Sequence, residues 1–173
     1  MAVAGVDRSA SQVRIAHQNG VDCVRHGDCF EFLAQKGGGS VGVVVSLDLI
    51  EHLTKPELIQ FSQEVFRCLE PGGCWLIHAP NAEGPFGARI RFADLTHEQA
   101  FTARSIHQLA DAIGFRSVCC HEDAPIIHGV KSLVRWTLWR FIRLVLQAYY
   151  LVETGSSAEM IFSQNLFAVL RKD

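Results

Sequence analysis

The 173-residue chain has little excess of charge: 16 Lys and Arg against 18 Asp and Glu leave a net −2. That balance argues against a protein held to nucleic acid by bulk charge. A cysteine framework is also missing. The six cysteines (Cys23, Cys29, Cys68, Cys74, Cys119, Cys120) form no C-x-x-C pair, so neither a disulfide scaffold nor a structural zinc site is expected. No two of the eight histidines have H-x-x-x-H spacing, and no metal is expected on that ground. The first residues carry no basic segment and no apolar run long enough for an export signal, so a reducing, cytoplasmic setting is expected. There is no internal repeat, and the one low-complexity patch, Gly37–Ser40, reads as a surface loop. Hydrophobic residues at 49% exclude general disorder and are enough for one core.

What is present is an alternation of strand and helix patterns. Ala2–Val6 is a short apolar run ending at Asp7. Ser9 then opens a helix with Val13 and Ala16 inward, stopped by Asn19-Gly20. Val21–His26 reads as a strand closed by Gly27-Asp28, and Cys29–Gln35 as a short helix turning Phe30, Leu33 and Ala34 inward. Val41–Leu47 is an almost unbroken β-branched run, expected of a strand buried on both faces. Pro56 stands near the start of a helix with Leu58, Phe61, Val65, Phe66 and Leu69 as its apolar stripe. Pro71-Gly72-Gly73 ends it, and Cys74–Ala79 is the next strand. After a loop come a helix (Ala103–Ile113), a strand (Arg116–Cys120), a long helix, and a last strand from Ile161 to Leu170. This alternation calls for βαβ units in an α/β, doubly wound, mostly parallel sheet.

Ligands of such sheets sit beyond the carboxyl ends of the strands, which singles out Asp7, Asp28, Ser46, Asp48, Pro80 and Asn81. Asp7 can accept hydrogen bonds from adjacent ribose hydroxyls. Asp28 suits an exocyclic amine, the backbone N–H of Cys29 a ring nitrogen, and Phe30 a base face or the core. Any one of these residues can equally be a helix cap or turn residue. Two junction carboxylates favour a neutral or cationic nucleoside ligand and disfavour a polyphosphate. No G-x-G-x-x-G is present, which weighs against a nicotinamide oxidoreductase.

Several segments resemble the class I S-adenosylmethionine-dependent methyltransferases, of the type 11/23 kind. Val3–Ser9, with Gln12-Val13 and Ala16, is similar to their second-strand motif, and Gly27-Asp28 to the motif after the third strand. Ser46–Leu53 (SLDLIEHL) resembles the segment after the fourth strand, and Leu69–Gly73 (LEPGG) with Trp75–Ile77 and Pro80-Asn81 the turn and fifth strand. Asp94–Glu98, Phe101-Thr102, Ile106–Leu109 and Gly114-Phe115 resemble a segment of bacterial methyltransferases associated with sugars and polysaccharide biosynthesis. The resemblance implies a Rossmann-like fold with an antiparallel last strand and S-adenosylmethionine as cofactor. Its cofactor-binding residues would be Asp7, Ser9, Gly27, Asp28, Cys29, Ser46, Leu47 and Asp48. The domain would divide into a core over 1–128, a helical insertion over 129–155 and the last strand within 156–173.

The family's glycine-rich loop and first strand have no counterpart here. Gly37–Gly39 leads into a strand and cannot replace them, so the sheet is expected to be incomplete at its N-terminal strand. Either the chain is N-terminally truncated, or something else fills that slot, or the two flanking strands pair directly.

Methyl transfer from a sulfonium is an in-line displacement, and a hydroxyl acceptor usually needs a general base. His97 is the first candidate and His52 the second, with Asp94 orienting a ring or binding the acceptor; Asp94–His97 can alternatively be a capping turn. His78, inside a strand, reads as structural. Asn81 is expected to shape the acceptor pocket, and Arg89 and Arg91 to meet an acidic group or solvent. The expected reaction is methyl transfer, at oxygen, to a small molecule or sugar precursor. The alternative is a non-catalytic remnant or partner-dependent binding module of the same fold.

Lys131–Glu153 is amphipathic. Leu133, Val134, Leu138, Phe141, Leu144, Val145 and Ala148 share one face, and Lys131, Arg135, Arg140, Arg143 and Gln147 the other, interleaved with Trp136 and Trp139. Three arginines within its length weigh against a membrane span. Packing of the apolar face on the core, docking to a membrane surface or contact with a second copy all suit it.

Overall fold

The structure is a computed structural model that describes residues 2–156 and 160–173. Residues 157–159, part of the stretch expected to lead into the last strand, lie outside them. Among the described residues six strands and six helices follow in order: β1 (Gly5–Asp7), α1 (Ala10–Gln18), β2 (Val24–His26), α2 (Cys29–Ala34), β3 (Val41–Leu47), α3 (Lys55–Cys68), β4 (Leu69–Pro80), α4 (Gly87–Ala93), α5 (Ala103–Ile113), β5 (Ser117–Glu122), α6 (Val130–Thr154) and β6 (Asn165–Arg171). A 3₁₀ turn, Ile50–His52, lies between β3 and α3.

The strands form two sheets. β1 and β2 pair in parallel, and a four-stranded sheet has the order β3-β4-β6-β5. β3 is parallel to β4, whereas β6 runs antiparallel to both β4 and β5. The last strand is therefore the antiparallel one, as the resemblance implies. β1 and β3 do not pair with each other among the described residues, which removes direct pairing as the way the expected gap closes. Among the described residues each keeps one edge with no strand partner.

Two expectations of burial are corrected here. β3 is covered on one face only: Val44 packs against the core and Ser46 is buried, but Val43, Val45 and Leu47 point outward at 48%, 54% and 64% exposure. The β-branched run reflects strand propensity, and the described helices leave its second face bare. In α2, Leu33 is buried and Phe30 half-buried, while Ala34 turns out to solvent.

The core lies between the four-stranded sheet and helices α3 and α5. Trp75 is its centre, fully buried, with ring centroids 5.9 Å from Phe61 and 6.1 Å from Phe115. Its indole N–H donates to Ser46 Oγ at 2.9 Å, so the one polar atom of the ring is satisfied. Local chemistry sets the helix ends. Ser9 caps α1, Thr54 and Glu57 form a capping box on α3, and Thr102 caps α5, which stops at Gly114 with φ 107°.

α6 sits the opposite way round from a core-packed amphipathic helix. Leu133, Val134, Leu138, Phe141, Leu144 and Val145 are all exposed. The stripe turned toward the protein is Ser132, Trp136, Trp139, Arg143 and Gln147. A charged bond fixes that orientation: Arg143 Nε donates to Glu122 Oε1 of β5 at 3.1 Å. Among the described residues no helix is long and apolar enough to cross a membrane.

Candidate active site

The residues expected to hold a nucleoside gather at the carboxyl ends of β1 and β2. Asp7 Oδ1 accepts from Ser9 N–H at 2.6 Å, and Ser9 Oγ in turn caps α1. Gly27 N donates to Asp7 O at 3.1 Å. A Cβ on Gly27 would stand 3.3 Å from Val6 Cγ2, so the small residue keeps the two strand ends close. Asp28 Oδ1 accepts from the N–H groups of Phe30 and Glu31, at 2.8 and 3.3 Å, and Oδ2 from Arg8 at 3.1 Å. Partial burial opposes its charge, but those N–H groups and the Arg8 guanidinium together hold its carboxyl below the ordinary range. Asp28 thus is a helix cap. Two groups at this end stay uncommitted among the described residues: Asp7 Oδ2 and the N–H of Cys29.

Ser46, Leu47 and Asp48 end β3. Ser46 Oγ is committed to Trp75, and Leu47 is exposed. Asp48 takes a left-handed turn (φ 47°), unusual outside glycine. Two bonds hold it there: its N–H donates to His78 O at 3.1 Å, and His78 Nδ1 lies 2.7 Å from its Oδ1. His78, packed on Phe167, is structural as expected for a strand histidine.

That turn aims the 3₁₀ turn inward and buries Glu51, which is only 1% exposed. Its Oε2 has neither solvent nor a hydrogen-bond partner. Burial foremost, with the nearby Asp48 charge adding to it, pushes the Glu51 carboxyl up to about 7. Glu51 also draws in a distant loop, because its carbonyl accepts from the N–H groups of Glu98 and Gln99 at 2.8 and 3.1 Å. Gln99 Nε2 adds a bond to Leu53 O at 2.8 Å, and Arg91 donates to the carbonyls of His97 and Glu98. The outcome is a ring-to-ring contact of His52 with His97, centroids 4.8 Å apart.

Hydrogen bonds fix the tautomers of both rings. His97 Nδ1 lies 3.2 Å from Ile90 O, a carbonyl that can only accept, so Nδ1 carries the proton and Nε2 the lone pair. Thr96 Oγ1 gives its one hydrogen to Asp94 Oδ1 at 2.7 Å, and so can only accept from His52 Nδ1 at 3.0 Å. The Thr96 N–H, which donates to Asp94 Oδ1 at 2.8 Å, and the Thr96 hydroxyl hold the Asp94 carboxyl below its ordinary range. Asp94 therefore acts through Thr96 on His52, and the structure gives it no bond to the His97 ring.

The two arginines expected at the acceptor separate. Arg89 lines a cavity of about 300 Å³ together with Phe86, Ile90, Ala93, His97 and Gln164. Arg91 instead braces the His97 backbone. Asn81 is fully buried; its Nδ2 donates to the carbonyls of Ile161 and Ser163 and its Oδ1 accepts from Glu83 N–H. It anchors the loop before α4. Sequence reasoning left out Glu51 and Thr96 as functional residues. Glu51 was visible only as a carboxylate beside His52, and nothing in the sequence marks it as buried.

Comparison with known proteins gives the same class as the junction residues. The family described as methyltransferase domain matches residues 1–119. The chain belongs to this family, the S-adenosylmethionine-dependent methyltransferases of class I, whose cofactor is S-adenosylmethionine. A probable S-adenosylmethionine-dependent methyltransferase of Mycolicibacterium smegmatis is 34% identical over 106 residues, which are 61% of this chain and 38% of that protein. The match thus spans well under half of that relative. Among solved structures, an Archaeoglobus fulgidus S-adenosylmethionine-dependent methyltransferase aligns over 98% of this chain and 75% of its own, at 17% identity and a TM-score of 0.70. The phosphoethanolamine N-methyltransferase 2 of Haemonchus contortus, crystallised with S-adenosyl-L-methionine, aligns over 98% of this chain and 43% of its own, at 17% identity and a TM-score of 0.59. These two show the fold.

The residues present fit the nucleoside end of that cofactor: Asp7 Oδ2 and the Cys29 N–H are an uncommitted acceptor and donor at one pair of strand ends. No glycine-rich turn for the methionine end lies among the described residues.

Proposed function

We propose that this protein transfers the methyl group of S-adenosylmethionine to a hydroxyl oxygen of a small molecule, with a sugar or polysaccharide precursor as the acceptor class. One observation carries the reading: His97, with its Nε2 lone pair free, lines the same cavity as the cationic Arg89. The bound cofactor supplies an electrophilic methyl on its sulfonium. Asp7 accepts from ribose hydroxyls, the Cys29 N–H meets the base, and Asp28 keeps α2 in place beneath it. Arg89 draws an acidic or hydroxyl-rich acceptor into the cavity. His97 Nε2 accepts the hydroxyl proton as the oxygen attacks, a task suited to an imidazole near neutral pH. Arg91 and the Glu51 carbonyl hold that imidazole in register.

The test is release of S-adenosylhomocysteine from S-adenosylmethionine across a panel of sugars, sugar nucleotides and simple amines. Turnover with hydroxyl acceptors supports the reading; turnover with amines alone overturns the oxygen assignment. The unpartnered edges of β1 and β3 favour a second reading, a binding module of the same fold. Calorimetric titration with S-adenosylhomocysteine, which binds with no turnover required, separates the two when read beside the assay.

A further inference from the structure

We propose that Glu51, His52 and His97 form a binding site for a divalent first-row transition metal, beside the acceptor cavity. Three ligand atoms, one from each residue, lie within 4.8 Å of one another. Ligands of a tetrahedral ion with bonds of about 2.0–2.1 Å stand roughly 3.3 Å apart, so a modest side-chain closure completes the site.

Three independent features point to a cation here. The first is Glu51 itself. A carboxylate oxygen buried with no partner costs on the order of 1–3 kcal/mol or more, and proteins seldom leave one so. A carboxylate oxygen of Glu51 lies in one group with a ring nitrogen of each imidazole. The second is the state of those imidazoles. Each donates Nδ1–H to a backbone or side-chain oxygen, His97 to Ile90 O and His52 to Thr96 Oγ1, which leaves both Nε2 lone pairs available. Nδ1–H bonded to an acceptor and Nε2 open is the usual second layer of a metal-bound histidine. Thr96 is in turn fixed by Asp94, so the chain Asp94–Thr96–His52 extends this support by one more link. The third is how the site is held together. The turn carrying Glu51 and His52 and the loop carrying His97 are tied by the bonds from Glu98, Gln99 and the Gln99 side chain. They are positioned by backbone rather than by attraction between the side chains.

The donor set indicates the ion. Two imidazoles and one carboxylate suit manganese through zinc better than magnesium or calcium, which prefer oxygen. Three protein ligands leave coordination positions open toward the cavity that His97 and Arg89 line. Resting on the oxygen-transfer reading above, the acceptor suited to those positions carries a hydroxyl beside a second oxygen donor, so that it chelates. The metal-bound hydroxyl loses its proton to solvent, its oxygen pair forms the new C–O bond, and the S–C bond breaks with its electrons going to sulfur. His97 then serves as ligand in place of base.

The full chain, stripped with a chelator and then dialysed free of it, is titrated with Co²⁺, and the visible d–d absorption is read. The expected result is one equivalent bound in the micromolar range, with Mg²⁺ binding at least tenfold weaker. Glu51→Gln and His97→Ala should each weaken Co²⁺ at least tenfold. Thr96→Val, at an exposed position whose change should leave the fold intact, should weaken it about 10–100-fold by releasing the His52 ring. Absence of saturable binding by the wild type up to 1 mM (roughly the −4.1 kcal/mol level) overturns the site, as does equal affinity in all three variants. Methyl transfer that persists in chelator with no Co²⁺ bound overturns the metal and spares the oxygen-transfer reading. Tight Co²⁺ binding with no transfer to any hydroxyl does the reverse.

Discussion

The two ends of the candidate site differ in how much of their polar chemistry the fold already uses. At the β1–β2 end, Ser9 and Asp28 are occupied as caps, and the carboxylate of Asp7 closes a tight turn with one oxygen. At the acceptor end, Glu51 Oε2 and two imidazole nitrogens have no use within the fold. Polar residues at βα junctions arise for both reasons, and sequence position does not separate them. The partners do. A residue whose hydrogen bonds are consumed locally can be explained by helix stability alone, whereas a buried group with an orphaned atom calls for a ligand.

The largest expected effect tests the acceptor end. His97→Ala should lower turnover about 100–1,000-fold, the scale of losing a general base or an acceptor-positioning ligand, while affinity for S-adenosylhomocysteine stays within about twofold. Steady-state kinetics beside calorimetry reads both, and a comparable loss of cofactor affinity would erase the distinction between the ends. Asp7→Ala is the counterpart. Losing charged hydrogen bonds to two ribose hydroxyls should weaken S-adenosylhomocysteine about 10–100-fold, and an unchanged Kd would remove Asp7 from the nucleoside site. Ser46→Ala comes next. It orphans the buried Trp75 N–H, so stability to urea should fall by about 1–3 kcal/mol, with cofactor affinity of the folded protein unaltered. A selective loss of affinity would instead put the Ser46 hydroxyl in the site.

The sequence is most legible where stability is local. α5 was expected at Ala103–Ile113 and lies there, because Thr102 caps it and Gly114 ends it. α3 follows its Pro56 signal in the same way, with the Thr54–Glu57 capping box added by the structure. α4 was invisible: it has seven residues and no side-chain cap, and distant groups hold it, Arg91 reaching the 97–98 carbonyls and buried Asn81 fixing the loop before it. The face that α6 turns inward was left open for the same reason. Periodicity finds an apolar stripe, but the Arg143–Glu122 bond decides which stripe turns inward. The grouping of Glu51, His52 and His97 was not foreseen because spacing rules detect ligands on one helix or one loop, and here Glu51-His52 meets His97 only through the tertiary bonds of Glu98 and Gln99. His97, His52 and Arg89 could be nominated by residue type and motif, and what could not be foreseen was the burial of Glu51 beside the two histidines.

The smallest effect sharpens the reading of Asp28 as a cap. Its folded carboxyl is held below the ordinary value of 3.8, so the bonds that depend on its charge contribute fully above that value. Their contribution is lost as the pH falls through the folded pKa. Asp28→Asn keeps a side-chain oxygen for the N–H groups of Phe30 and Glu31 yet cannot titrate. Between pH 6 and pH 3 the wild type should therefore lose about 1–2 °C more in Tm than Asp28→Asn does. Arg8, exposed at 87%, adds little to that difference. Parallel Tm curves for the two proteins would mean that the α2 terminus needs only an oxygen, and that the charge at Asp28 is held in place for a ligand outside the fold.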